Sequence, residues 1–149
     1  MSQRTKNILV FIPAVAMMCL IFYLSGQVGH ESGGLSAKVC EKIIIFFEGS
    51  ISAESMAKKV EMMQLPIRKL AHFSEYALLC LLWIFAFRYN KYETKQMYLL
   101  AFMISAAYAG TDEFHQSFVE GRCGAFTDVL IDSSAAALAS FIHYVKHRV

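Results

Sequence analysis

A chain of 149 residues has room for one domain, and 56% hydrophobic against 17% charged residues is too apolar for an ordinary soluble domain of that size. The mean hydropathy is positive, which points to an integral membrane protein. The net charge of +2 comes from Lys and Arg scattered among the acids; with no basic stripe interleaved with aromatics, nucleic acid is not an expected partner.

The first apolar run, "ILVFIPAVAMMCLIFYL", is uncharged from Ile8 to Leu24 behind Arg4 and Lys6. It is long for the core of a signal peptide and no A-x-A site follows, so it is expected to be a first transmembrane helix, slightly bent by Pro13. The following "SGQVGHESGG" brings Ser25, His30 and Ser32 to the same side, but its glycines favour a flexible exit from the membrane. Next, "SAKVCEKIIIFFEG" and "SAESMAKKVEMMQ" suggest two short helices joined at Gly49 and Ser50, with Ser52 capping the second. Met56, Val60 and Met63 give that second helix one apolar face, suited to the membrane surface or to the top of a bundle.

Pro66 suits a first helical turn, and a helix over Pro66–Phe87 would be about 33 Å long, enough to span. Two more runs follow, over residues 96–118 and 125–145. The expected fold is therefore all-α: an integral membrane protein of four transmembrane helices (8–24, 66–87, 96–118, 125–145), with a short extracytoplasmic helical segment between the first and second. One domain covers residues 1–149. Arg4 and Lys6 precede span one, Arg88, Lys91 and Lys95 separate two from three, and Lys146 and Arg148 follow four. Their alternation places both termini in the cytoplasm of a multi-pass cell-membrane protein.

Alternating spans bring three polar helix ends to one extracytoplasmic side. Arg68, Lys69, His72 and Glu75 start span two; Asp112, Glu113, His115 and Gln116 end span three; Arg122 lies in the connection; Asp128 and Asp132 start span four. Lys69, His72 and Tyr76 share a helical face, as do Asp112 with Gln116 and Asp128 with Asp132. Ionisable groups at membrane depth cost on the order of 2.5 to 3.5 kcal/mol each on insertion scales, so such a concentration signals function. The bland alternative is a structural network in which the cations merely neutralise carboxylates and fix helix register.

Three fixed cations, Arg68, Lys69 and Arg122, face five acids in this cluster. That excess favours a cationic guest, shared protons or a divalent metal, although no metal-specific spacing is present and no cofactor is required. His72 with Asp112, Glu113 or Asp128 would supply the parts for acid–base catalysis at a lipid-linked substrate, but nothing marks a nucleophile. Of the four cysteines, Cys19 and Cys80 lie in apolar runs; Cys40 and Cys123 fall on one side, either as free thiols or as a disulfide.

"RKLAHFSEY" (Arg68–Tyr76), "DEFHQSF" (Asp112–Phe118), "GR" (Gly121, Arg122) and the downstream Asp128 resemble the signature of the VanZ-like family, and "FYLSGQ" (Phe22–Gln27) is similar to its usual first-helix exit. The resemblance implies a small multi-span membrane protein; the founding member is associated with low-level resistance to teicoplanin, a lipoglycopeptide. It carries Lys69, His72, Phe73, Tyr76, Asp112, Glu113, Gln116, Arg122 and Asp128 as family positions. Asp132 stands where an Asn is usual and Ala135 where a Gly is usual. Together, residues and resemblance make Arg68, Lys69, His72, Tyr76, Asp112, Glu113, Gln116, Arg122 and Asp128 the expected ligand-binding set, with Phe118 on the apolar rim. The expected partners are membrane lipids, a lipid-linked cell-wall precursor or a lipoglycopeptide; an integral-membrane hydrolase or transferase and a purely structural subunit are the alternatives.

Overall fold

The computed structural model describes residues 1–92 and 95–147, with the backbone alone at residues 30–32. The expected contributions of the His30 and Ser32 side chains and of Arg148 lie outside the described residues. Helix α1 (Gln3–Leu9) leads into α2 (Ile12–Ser25), followed by α3 (Gly29–Glu48), α4 (Ala53–Tyr89), α5 (Lys95–Gln116) and α6 (Phe126–Lys146). No strand occurs among the described residues.

The break between α1 and α2 has a local cause. Pro13 has no N–H to offer the carbonyl of Leu9, so the chain turns at Val10 and Phe11 before the helix resumes. Taken together, Gln3–Ser25 and, separately, Ala53–Tyr89 are long and apolar enough to cross a membrane. Helices α5 and α6, with 22 and 21 residues, have spanning length at about 1.5 Å per residue. Their polar ends keep their hydropathy low.

Two expectations about the segment between the first and second spans need correction. The "SGQVGHESGG" stretch is not a flexible exit: α3 starts at Gly29 and runs for 20 residues. Gly29 is required there because its backbone lies against Gly121, where an added Cβ would come within 2.2 Å of the Gly121 carbonyl oxygen. The Gly29 N–H donates to the Glu120 carbonyl at 3.0 Å, so this junction docks α3 on the α5–α6 loop.

Pro66, likewise, does not begin a helix. It lies inside the 37-residue α4, whose N-cap is Ser52, accepting from the Ser55 N–H at 3.3 Å as the sequence suggested. Packing on both sides of the proline overrides its local preference: Val60 before it and Ile67 after it join Cys40 and Ile44 of α3 in one apolar cluster. Met56 and Met63 pack against the same cluster, so the apolar face foreseen for this segment covers α3. Cys40 is buried in that contact and Cys123 is exposed; both are free thiols.

Helix α4 is the hub, touching α2, α3, α5 and α6. One core layer joins Met17 and Ile21 of α2, Tyr76 and Leu79 of α4, Ala109 of α5 and Ala135 of α6. The next joins Cys80 and Ile84 to Met97, Ala101 and Ala136. The alanines on α5 and α6 let the backbones approach, Ala135 included, as small residues do between membrane helices. Outward-facing positions carry Ile12, Leu20, Phe85, Leu99, Leu138 and Phe141, all exposed, while charged groups are buried inside. That inversion is expected where lipid replaces water.

Gly29→Ala is expected to lower stability by about 1–3 kcal/mol through overpacking. Gly34→Ala, with nothing within 4 Å of its new Cβ, is expected to gain up to about 1 kcal/mol of helix propensity. Thermal melting in detergent separates the two.

Candidate functional site

Polar groups from four helices meet at one end of the bundle. Helix α2 ends there at Ser25. Helix α4 passes through with Arg68, Lys69, His72, Glu75 and Tyr76, α5 arrives with Asp112, Glu113 and Gln116, and α6 departs with Asp128 and Asp132. Asp112, Glu113, Gln116, Arg122 and Asp132 are buried.

Gln116 couples the buried charges. Helical spacing of three and four residues puts its amide over both acids: Nε2 donates to Asp112 Oδ2 at 3.0 Å and to Glu113 Oε1 at 3.2 Å. Its Oε1 accepts from Arg122 Nη1 at 3.0 Å. Ser25 Oγ donates to Asp112 Oδ1 at 2.5 Å, the Ala125 N–H donates to Glu113 Oε2 at 2.9 Å, and Arg122 Nη2 donates to the Leu24 carbonyl at 3.2 Å. The α5–α6 loop can return this tightly because Gly121 takes a positive φ of 71° and because a Cβ on Gly124 would sit 2.4 Å from the Glu113 carbonyl oxygen.

A direct Asp112–Arg122 pair, which the short connection suggests, is therefore replaced by a relay through Gln116. Burial is the main influence on Arg122 and lowers its pKa from the ordinary value, as does the charge of Arg68; Asp112, Glu113 and Glu75 act in the opposite direction.

Above this network a cavity of about 420 Å³ opens between α4, α6 and the loop. Arg68, Lys69, His72, Arg122, Asp128 and Asp132 line it. Lys69 Nζ donates to Asp128 Oδ1 at 2.6 Å. Both side chains are more than a third exposed, so the pair is worth only about 0–1 kcal/mol and is open to exchange. Arg68 forms no salt bridge among the described residues. A second cavity of about 210 Å³ shares Arg68, His72 and Arg122 with the first and continues between apolar groups, among them Leu24, Leu35, Val39, Ile67 and Ala71.

The expected set divides into two tiers. Arg68, Lys69, His72, Arg122 and Asp128 line the larger cavity. Tyr76, Asp112, Glu113 and Gln116 are buried and line neither cavity. Beside His72 stands Glu75, with Nδ1 and Oε2 3.8 Å apart, rather than Asp112 or Glu113, which Gln116 engages. His115 belongs to another contact: its ring stacks on Phe22 with centroids 4.3 Å apart. Phe118 is 73% exposed and lines neither cavity. Asp132, absent from the expected ligand set, lies on the cavity wall. Ser25 anchors Asp112 although its surroundings read as a loop; its place on the polar side and in the family-like "FYLSGQ" stretch were the sequence signals. Among the described residues no three His, Cys, Asp or Glu groups converge as a metal site.

An apolar exterior around a charged, hydrogen-bonded interior at one end of the bundle defines an all-helical, membrane-associated protein. Within that class, the chain belongs to the VanZ/LLP1 family, whose model matches residues 7–147, nearly its whole length. No curated protein and no solved structure matches the chain.

Ser25→Ala removes a hydrogen bond to a buried carboxylate and is expected to cost about 1.5–3 kcal/mol. Gln116→Leu strips partners from Asp112, Glu113 and Arg122 together and is expected to cost more than Ser25→Ala. Ser117→Ala, whose exposed hydroxyl bonds the Phe114 carbonyl of its own helix end, is the control and should stay within about 0.5 kcal/mol. Melting curves in detergent give the ranking.

Proposed function

We propose that this VanZ-like protein crosses the cell membrane four times with both termini in the cytoplasm. Its extracytoplasmic cavity binds the charged portion of an envelope lipid, a lipid-linked wall precursor or a lipoglycopeptide, shielding the wall target that such antibiotics attack. One observation carries the reading: the cavity of about 420 Å³ is lined by Arg68, Lys69 and Arg122 on a site that the apolar bundle otherwise has no reason to keep open. Guanidinium and ammonium groups there suit phosphate or carboxylate. The buried Ser25–Asp112–Gln116–Glu113 network holds the wall in shape from beneath. Resistance to teicoplanin-type drugs rests on the family resemblance.

Binding is tested by titrating the detergent-purified protein with fluorescent lipid-linked precursor, phospholipids and teicoplanin. Saturable binding weakened about tenfold by Arg68→Gln, the loss of one charge-assisted contact, is expected. Absence of saturable binding to all of them would refute the reading. The topology is tested in intact cells with a membrane-impermeant maleimide: wild type should be labelled at Cys123, Cys123→Ser should lose that label, and adding Lys91→Cys to Cys123→Ser should not restore it.

A second reading, an integral-membrane hydrolase or transferase acting on a lipid-linked envelope component, has the His72–Glu75 juxtaposition at 3.8 Å in its favour. Isotopically labelled envelope lipids incubated with membranes should then yield a product that disappears in His72→Ala.

A further inference from the structure

Asp132 is 1% exposed, and neither of its carboxylate oxygens has a hydrogen-bond partner among the described residues. It is nevertheless part of the wall of the larger cavity. Its charged neighbours are the carboxylates of Glu113, Asp128, Asp112 and Glu75. An acid buried among acids with both oxygens unsatisfied lacks what a buried carboxylate needs, a donor or a cation. The same cavity carries Arg68, Lys69 and Arg122. The wall therefore presents anion-binding groups on α4 and the α5–α6 loop, and an unsatisfied acid on α6. Where Arg68, His72 and Arg122 also face the second cavity, the lining turns apolar toward Leu35 and Val39 of α3.

Building on the envelope-ligand reading above, we propose that the ligand is a phospholipid whose head carries a primary ammonium beside its phosphodiester, as phosphatidylethanolamine does. The phosphodiester sits on Arg68 and Arg122, the ammonium on Asp132 with Asp128 beside it, and an acyl chain enters the groove between α3 and α4. Three donors of an ammonium match the two open oxygens of Asp132 and the remaining carboxylate capacity of Asp128. The ligand cation would also relieve the repulsion among the acids, of which Asp128 is paired with Lys69 and Asp112 and Glu113 are bonded by Gln116. A phospholipid with an uncharged glycerol head satisfies the cationic side equally but leaves Asp132 without a counter-charge.

The test titrates the full-length protein in detergent with three probes: dihexanoyl phosphatidylethanolamine, dihexanoyl phosphatidylglycerol and tail-free glycerophosphoethanolamine. Affinities are read by native mass spectrometry and by thermal shift. Wild type is expected to prefer the ethanolamine lipid over the glycerol lipid by at least about tenfold, one charge-assisted contact. The tail-free head group should bind more weakly than the ethanolamine lipid. Asp132→Asn, nearly isosteric and neutral, should bring the two lipids within about twofold of each other while keeping affinity for the glycerol lipid. Equal affinity of wild type for both lipids, or a preference that survives in Asp132→Asn, would overturn the ammonium assignment. Tail-free binding as strong as the lipid's would overturn the acyl groove. The wild-type comparison decides even if the variant does not fold. Failure of every envelope ligand to bind would instead strike at the cavity reading itself.

Discussion

The bundle depends on solving one problem: two carboxylates and a guanidinium are buried at the end of α5 and in the loop behind it, where each would be strongly unfavourable alone. Gln116 solves it with a single amide, donating to Asp112 and Glu113 and accepting from Arg122. Because Ser25 and the Leu24 carbonyl close the same network from α2, it also fixes where the first span ends. The position of α3 follows, since Gly29 rests on Gly121 of the loop that Arg122 anchors. Thus a polar network, more than apolar fit, sets the register of this end, while the other core layers pack through small and aliphatic side chains.

The network and the cavity have different tasks. Asp112, Glu113 and Gln116 spend most of their hydrogen-bonding capacity on each other and on the chain, so they suit scaffolding. Arg68, Lys69, Asp128 and Asp132 line the cavity; the Lys69–Asp128 pair is a little over a third exposed, and Asp132 has no hydrogen-bond partner among the described residues. Arg68 and Asp132, of opposite sign on one cavity wall and in no salt bridge among the described residues, are what a zwitterionic guest requires, whereas a packed structural network would bring them together. The second cavity, reached past Arg68 and His72, extends the same site between Leu35, Val39 and Ile67, with Glu75 beside them.

Much of this was legible in the sequence. Helices α5 and α6 fall within two residues of the expected spans because their apolar runs are bounded by charge on both sides. The cluster at one end followed from alternating spans and helical spacing. Pro66 was misleading because a local rule favours it at helix starts, and only the packing of Val60 and Ile67 on α3 reveals why the helix runs through. The glycines from Gly29 to Gly34 read as flexible for the same reason; the close approach to Gly121 is a contact 92 positions away in sequence. The Gln116 relay was hidden because an Asp112–Arg122 pair is the simpler inference from the short connection between them, and amide bridging depends on side-chain geometry. Asp132 showed its charge in the sequence but not its lack of partners.

The central claim is that the polar end is an occupied cavity rather than a packed ion network. A high-resolution structure of the protein in nanodiscs containing phosphatidylethanolamine tests it most directly. The account predicts non-protein density between Arg68 and Asp132, with Arg68 and Asp132 held apart and a tail running toward Val39. Arg68 folded onto Asp132, with the void closed and no density beside it, would contradict it.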